Sequence, residues 1–205
     1  FAAFLRDYVE KRRTLPADDL ITHLIAAETD GETLGTDALI TTCILLLNAG
    51  HEATVHALAN GVKALLEAGG PKDWLAPEKI DGTIEEILRF DPPLHLFARF
   101  AYEPVEVMGH TFRPGDQVAL LLAAAGRDPR ACDAPDRFNP ARPVKPHLAF
   151  GAGLHFCLGA PLARLEMAMA LPVLFARCPQ LRLTEQPRFA DTYHFHGLTR
   201  LMVQY

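Results

Sequence analysis

The stretch Phe150-Gly-Ala-Gly-Leu-His-Phe-Cys157-Leu-Gly-Ala-Pro-Leu-Ala-Arg164 sets a cysteine between a glycine-rich loop and the start of a helix. Unpaired backbone N–H groups and the positive helix end both favour a thiolate there over a thiol. Gly151, Gly153 and Gly159 permit a tight loop and a close approach of the backbone to a flat partner. A lone cysteine in a glycine turn reads as a buried structural residue. The spacing Phe-x-x-Gly-x-x-x-Cys-x-Gly, carried by Phe150, Gly153, Cys157 and Gly159, is far more specific and decides against that reading.

Composition bounds what surrounds this loop. Of 205 residues, 20 are Lys or Arg and 25 are Asp or Glu, a net charge of −5. That balance excludes nucleic acid as a partner, because phosphate binding needs a basic face. The longest apolar run, Ala38 to Leu47, contains two Thr and a Cys and falls short of the ~20 residues of a span, so no membrane span is expected. No secretory signal is read. The four cysteines, at 43, 132, 157 and 178, form no CxxC pair and suit a reducing cytoplasm rather than a disulfide scaffold or a zinc knuckle. The sequence opens at Phe1 inside an amphipathic pattern (Phe4, Leu5, Tyr8, Val9), which reads as a piece of a longer chain.

Proline sets the organisation. Ten of the 16 prolines lie between Pro92 and Pro161, so that stretch reads as turns, short strands and loop. A first helix runs from Phe1 to Arg13, and a second from Pro16-Ala-Asp18 to about Glu28, with Asp18 as its cap. Asp30-Gly31 makes a turn. Thr36 opens a third helix of about 32 residues, roughly 48 Å long, that is expected to cross the interior. A fourth holds Ile80 to Phe90 and is stopped by Asp91-Pro92-Pro93. Strands follow at Phe97–Ala101, Val105–Met108 and Gln117–Leu121, with residues 113–116 as a hairpin turn. A last helix runs from after Cys157 to about Arg177 with Pro172 inside, and Leu181–Leu183 with Leu198–Val203 reads as a β hairpin. The fold class is mainly α with a small β component.

At the cysteine loop the chain resembles the cytochrome P450 superfamily of haem-thiolate monooxygenases, of the soluble bacterial type. The resemblance implies the C-terminal, haem-binding half of that fold, one domain part over residues 1–205, with the N-terminal half absent. It implies haem b (iron protoporphyrin IX) held by Cys157, with Phe150, Gly151 and Gly159 against the cofactor and Arg99 and His155 on its propionates. Glu86 and Arg89, at i, i+3 on one helix face, match the family's buried network, and Pro135-Asp-Arg137-Phe138 supplies its third member, Arg137. The long helix carries Ala49-Gly50-His51-Glu52-Ala53-Thr54, whose small residues Ala49 and Gly50 let a flat body lie against it. A buried carboxylate at Glu52 would be costly without a role. In the family an acid–alcohol pair here delivers protons to bound oxygen. The acid fits Glu52, but Ala53 stands where Thr is usual and Thr54 comes one place late. Either Thr54 or a water substitutes, or the substrate supplies a hydroxyl, or peroxide leaks.

The implied activity is insertion of one oxygen atom of O2 into a C–H bond of a small apolar organic substrate. Two electrons would come from a donor such as a ferredoxin with its NAD(P)H reductase. A peroxide-driven peroxygenase, or a truncated haem-binding chain without turnover, are the alternatives. Among the histidines, His194-x-His196 has no third metal ligand at a recognisable spacing and reads as exposed strand, while His51, His56 and His95 read as pocket or core. Arg127, Arg130, Arg142, Lys145 and Arg164 form either a solvated surface or a docking patch for an acidic electron carrier.

Overall fold

A computed structural model describes residues 1–29, 35–71 and 73–205. The expected turn at Asp30-Gly31 lies outside them. The chain is mainly α, with six α-helices and short β ladders among the described residues, and divides into two compact units, Phe1–Glu52 and Ala53–Tyr205.

In the first unit, α1 (Ala2–Thr14) and α2 (Leu20–Thr29) pack on the start of α3 (Thr36–Glu67). Leu5 and Val9, one helical turn apart on α1, bury against Leu39, Ile40 and Cys43. Burial pushes the Cys43 thiol up from its ordinary value. The cap of α2 is Asp19, not Asp18: its Oδ1 accepts from Thr22 N at 2.9 Å, while Thr22 Oγ1 accepts from Ala17 N at 3.1 Å. This reciprocal pair satisfies two N–H groups at the helix entry.

The core of the second unit is built from three helices. The end of α3 brings Ala57, Val62 and Leu65, α4 (Ile80–Phe90) brings Ile80, Ile84, Ile87 and Leu88, and α6 (Ala160–Arg177) brings Met167 and Leu171. A Cβ at Gly61 would come 3.1 Å from Ile87 Cδ1, so the missing side chain is what lets α3 close on α4. The long helix does not lie wholly in the interior. It is buried near Leu39–Cys43 and again over residues 57–65, but residues 47–52 between are exposed. By length and composition α3 is apolar enough to cross a membrane, with 17% of that stretch buried. Core helices of globular proteins meet the same test.

The β component is nested. β1 (Leu96–Phe100) pairs antiparallel with β4 (Gln117–Leu121), enclosing β2 (Val105–Val107) and β3 (His110–Phe112), which pair with each other. The turn at residues 113–116 therefore joins two ladders and is not a hairpin turn. The hairpin turn is Met108-Gly109, both at positive φ. α5 (Leu122–Gly126) follows. At the C-terminus β5 (Arg182–Leu183) pairs with β8 (Val203–Gln204), around β6 (Arg188–Phe189) with β7 (Leu198–Arg200). The single tail hairpin expected from the sequence is thus two ladders.

Candidate functional site

The loop before α6 is closed by main-chain bonds. Cys157 N donates to Phe150 O at 3.0 Å and Gly151 N to Leu148 O at 2.9 Å. Gly151 and Gly153 take φ of 71° and 69°, a region costly for any residue with a Cβ. A 3-10 turn, Gly153–His155, then leads to Cys157, and Gly159 caps α6. Cys157 is half-buried. A Cβ on Gly159 would lie 4.0 Å from Cys157 Sγ, an ordinary contact distance. Leu154, Phe156, Leu158 and Leu162 around it are exposed. All four cysteines are free.

A second set of side chains fastens this loop to α4. Arg164 on α6 donates to Glu85 at 2.5 and 3.0 Å and lies over the Phe150 ring at 4.6 Å from its centroid. His147 Nε2 reaches Glu85 Oε2 at 3.1 Å, and its Nδ1 accepts from Ala149 N at 3.2 Å. Burial would raise the Glu85 pKa, but the His147 and Arg164 hydrogen bonds outweigh it and hold the carboxyl at about 2. Sequence reasoning missed Glu85; its only signal was a carboxylate next to Glu86, 62 residues before His147 and 79 before Arg164.

Glu86 and Arg89 form the buried bidentate pair, with Nε to Oε2 at 2.7 Å and Nη2 to Oε1 at 2.9 Å. Arg89 also donates to Gly126 O and Pro135 O, and Asn139 N donates to Glu86 Oε1 at 2.8 Å. The second guanidinium on Glu86 is that of Arg142, with Nε 3.3 Å from Oε2 as an ion pair. Arg137 is exposed and enters through its carbonyl, which accepts from Arg89 and Arg142.

The remaining expected residues are less gathered. Arg99 on β1 is exposed and donates to Ala98 O, and His155 is exposed. Ala49, Gly50 and Glu52 are exposed in the first unit, and Ala53 and Thr54 are half-buried in the second. The cost of a buried carboxylate therefore does not apply to Glu52. His196, read as an exposed strand residue, is half-buried and faces Asp91 and His95. Burial, and then the neighbouring His196, push the His95 imidazole below its ordinary value.

The family model described as Cytochrome P450 matches residues 80–199, more than half of the sequence, from α4 through the cysteine loop to the tail ladders. The chain belongs to the cytochrome P450 family. Its relatives include a biotin biosynthesis cytochrome P450 of Bacillus subtilis, 38% identical over 99% of this chain and 52% of its own length. Another is a vitamin D(3) 25-hydroxylase of Pseudonocardia autotrophica, 41% identical over 98% of this chain and 51% of its own. In structure the chain matches P450BioI, solved with a hexadec-9Z-enoic acid ligated acyl carrier protein, at a TM-score of 0.91 and 39% identity over 100% of this chain and 53% of that one. It also matches Mycobacterium smegmatis CYP164A2 with econazole bound, at a TM-score of 0.92 and 44% identity over 100% and 52%. The chain thus spans about half the length of the P450 relatives it matches, and its fold is that of their C-terminal, haem-binding half.

P450 membership implies a haem cofactor, and the residues present fit one. A half-buried thiol at a helix entry, in a loop whose Leu154, Phe156 and Leu158 side chains are exposed, is a donor for iron in a flat apolar body. The expectation of a monooxygenase carried by this chain is corrected. The group of metal-ligating side chains gathered among the described residues is Asp91, His95 and His196, which holds no cysteine. Together with the half-length match, this favours the alternative of a haem-binding chain without turnover.

Proposed function

We propose that the chain is a haem-binding protein without turnover of its own, the C-terminal part of a single cytochrome P450 domain, holding haem b through Cys157. The observation that carries this is the Cys157 loop: a free, half-buried thiol stands at the entry of α6, and its loop is locked to α4 through Phe150, Arg164 and Glu85. Bound haem would supply a redox-active iron with a thiolate ligand. Phe150 and Gly151 would hold the cofactor, and the exposed Arg99 and His155 would bind its propionates. Thr54 would stand in for the alcohol missing at Ala53. Glu86, Arg89 and Arg142, with the Arg137 carbonyl, would fix the core behind the loop. An apolar substrate, O2 and a ferredoxin-type donor belong to a full-length P450 rather than to this chain, and a cytoplasmic location suits its four free thiols.

The test is the carbon monoxide difference spectrum of the dithionite-reduced chain beside Cys157→Ala. Expected is the strongly red-shifted Soret band of a thiolate trans to CO, lost in the variant, with no product from apolar compounds given reduced ferredoxin or peroxide. Failure to bind haem, or the same Soret band in Cys157→Ala, refutes the ligand. Turnover by the purified chain refutes the absence of catalysis.

A further inference from the structure

We infer that Asp91, His95 and His196 form a binding site for a divalent transition-metal ion of the zinc class, separate from the cysteine loop. The backbone creates the juxtaposition. Pro92-Pro93 ends α4 at Asp91 and turns the chain into an extended segment. That segment lies antiparallel to the tail: Leu94 bridges to Phe195, and His196 N donates to Pro93 O at 2.8 Å. Residues a hundred positions apart are thereby registered side by side, and the His95 and His196 rings stack at 3.8 Å between centroids.

The ligand atoms of all three side chains lie within 4.8 Å of one another, with His196 Nε2 already 2.8 Å from Asp91 Oδ1. Ligands of a tetrahedral zinc ion stand about 3.4 Å apart at bond lengths of about 2.0–2.1 Å, and an imidazole ligates in its own ring plane, so the His95 ring turns out of its stack on His196 to complete the set. The main chains beneath are held. Asn60, fully buried on α3, donates from Nδ2 to Asp91 O at 3.2 Å and to His196 O at 2.9 Å. Phe189 backs the His196 ring at 3.8 Å. Such supports fix ligand orientation as the outer partners of metal sites do.

The three side chains open on a cavity of about 470 Å³, which gives an ion room to enter and leaves its fourth position to water. Two cations share the cavity wall, and both are engaged elsewhere. Lys63 Nζ pairs with Glu67 at 2.8 Å, and Arg127 donates to Phe90 O and Asp136. Asp91 is left to the imidazoles. Two neutral nitrogen donors with one carboxylate suit zinc-like ions over the hard cations, which take all-oxygen sets.

The experiment titrates the untagged 205-residue chain with Co2+, then displaces it with Zn2+. The variants are His95→Gln, His196→Gln and, as a control, Cys157→Ala. One equivalent is expected, with the visible bands of tetrahedral Co2+ and no thiolate-to-cobalt charge-transfer band, unchanged in Cys157→Ala. Loss of one imidazole is expected to weaken Zn2+ binding by about 100-fold or more, the upper end of what even outer-partner changes cause. His95→Gln, at a half-buried side chain, is the decisive variant if His196→Gln fails to fold. No binding by the unaltered chain, equal affinity in His95→Gln, or loss in Cys157→Ala overturns the site. Because the haem proposal is read from the Soret band, the two fail separately.

Discussion

Glu86 meets two guanidiniums, and which arginine supplies the second could not be read from spacing. Pro135-Asp-Arg137-Phe138 has the family pattern, yet Arg137 points outward and lends only its carbonyl, while Arg142 turns in towards Glu86, Asp133 O and Ala134 O. Side-chain direction in an irregular loop is set by packing, and no periodicity encodes it. Arg142→Gln is therefore expected to destabilise the second unit by about 1–3 kcal/mol through unpaired buried acceptors, and Arg137→Gln by less than about 0.5 kcal/mol; urea unfolding of the two variants checks this. Glu85 gives a pH signature. Its folded pKa of about 2 lies below the unfolded value, so the unfolded chain binds the extra proton between the two. The stabilisation is full above about pH 4.5 and is lost as pH falls towards 2. Glu85→Gln is expected to lower the urea midpoint at pH 7 and to flatten its dependence across that window, the two proteins converging at the acid end.

Among the elements, α3 was the most legible, because Thr36 and Gly69-Gly70 punctuate it and no proline interrupts it. α4 was equally clear from its amphipathic run and the Asp91-Pro92-Pro93 stop. The ladders were not, since two- and three-residue strands carry too little alternation to reveal which pairs with which. His196 was misread for the same reason: its partners stand a hundred residues upstream, beyond any local spacing. Two glycines of α3 separate packing from propensity. Nothing lies within 4 Å of a Cβ at Gly50, so Gly50→Ala is expected to raise stability by about 0.5–1 kcal/mol. At Gly61 the added methyl meets Ile87, and Gly61→Leu is expected to cost about 1–3 kcal/mol by forcing α3 from α4. Thermal unfolding of both variants decides it.

At the scale of the molecule, the cysteine loop and its family were legible because glycines and a cysteine at fixed spacing are chemistry written locally. What surrounds the loop was not, because burial depends on residues distant in sequence. Leu154, Phe156 and Leu158 are exposed on the loop itself. Haem covering that surface would bind the folded chain and not the unfolded one, so added haem at about 100 times its dissociation constant is expected to stabilise by about 2.7 kcal/mol. Differential scanning of the chain with and without haem measures it, and Cys157→Ala is expected to show a smaller shift.

The nesting of β2 and β3 inside the β1–β4 ladder has a practical corollary. Ala101 N donates to Asp116 O and Gly115 N to Ala101 O, so the outer ladder is sealed at the neck of the inner hairpin. Everything beyond that neck hangs clear of both cores, out to the fully exposed Met108 at its tip. The tip is a tethering point: an epitope, a dye or an anchoring peptide spliced between Met108 and Gly109 would immobilise or track the molecule while its helices fold undisturbed.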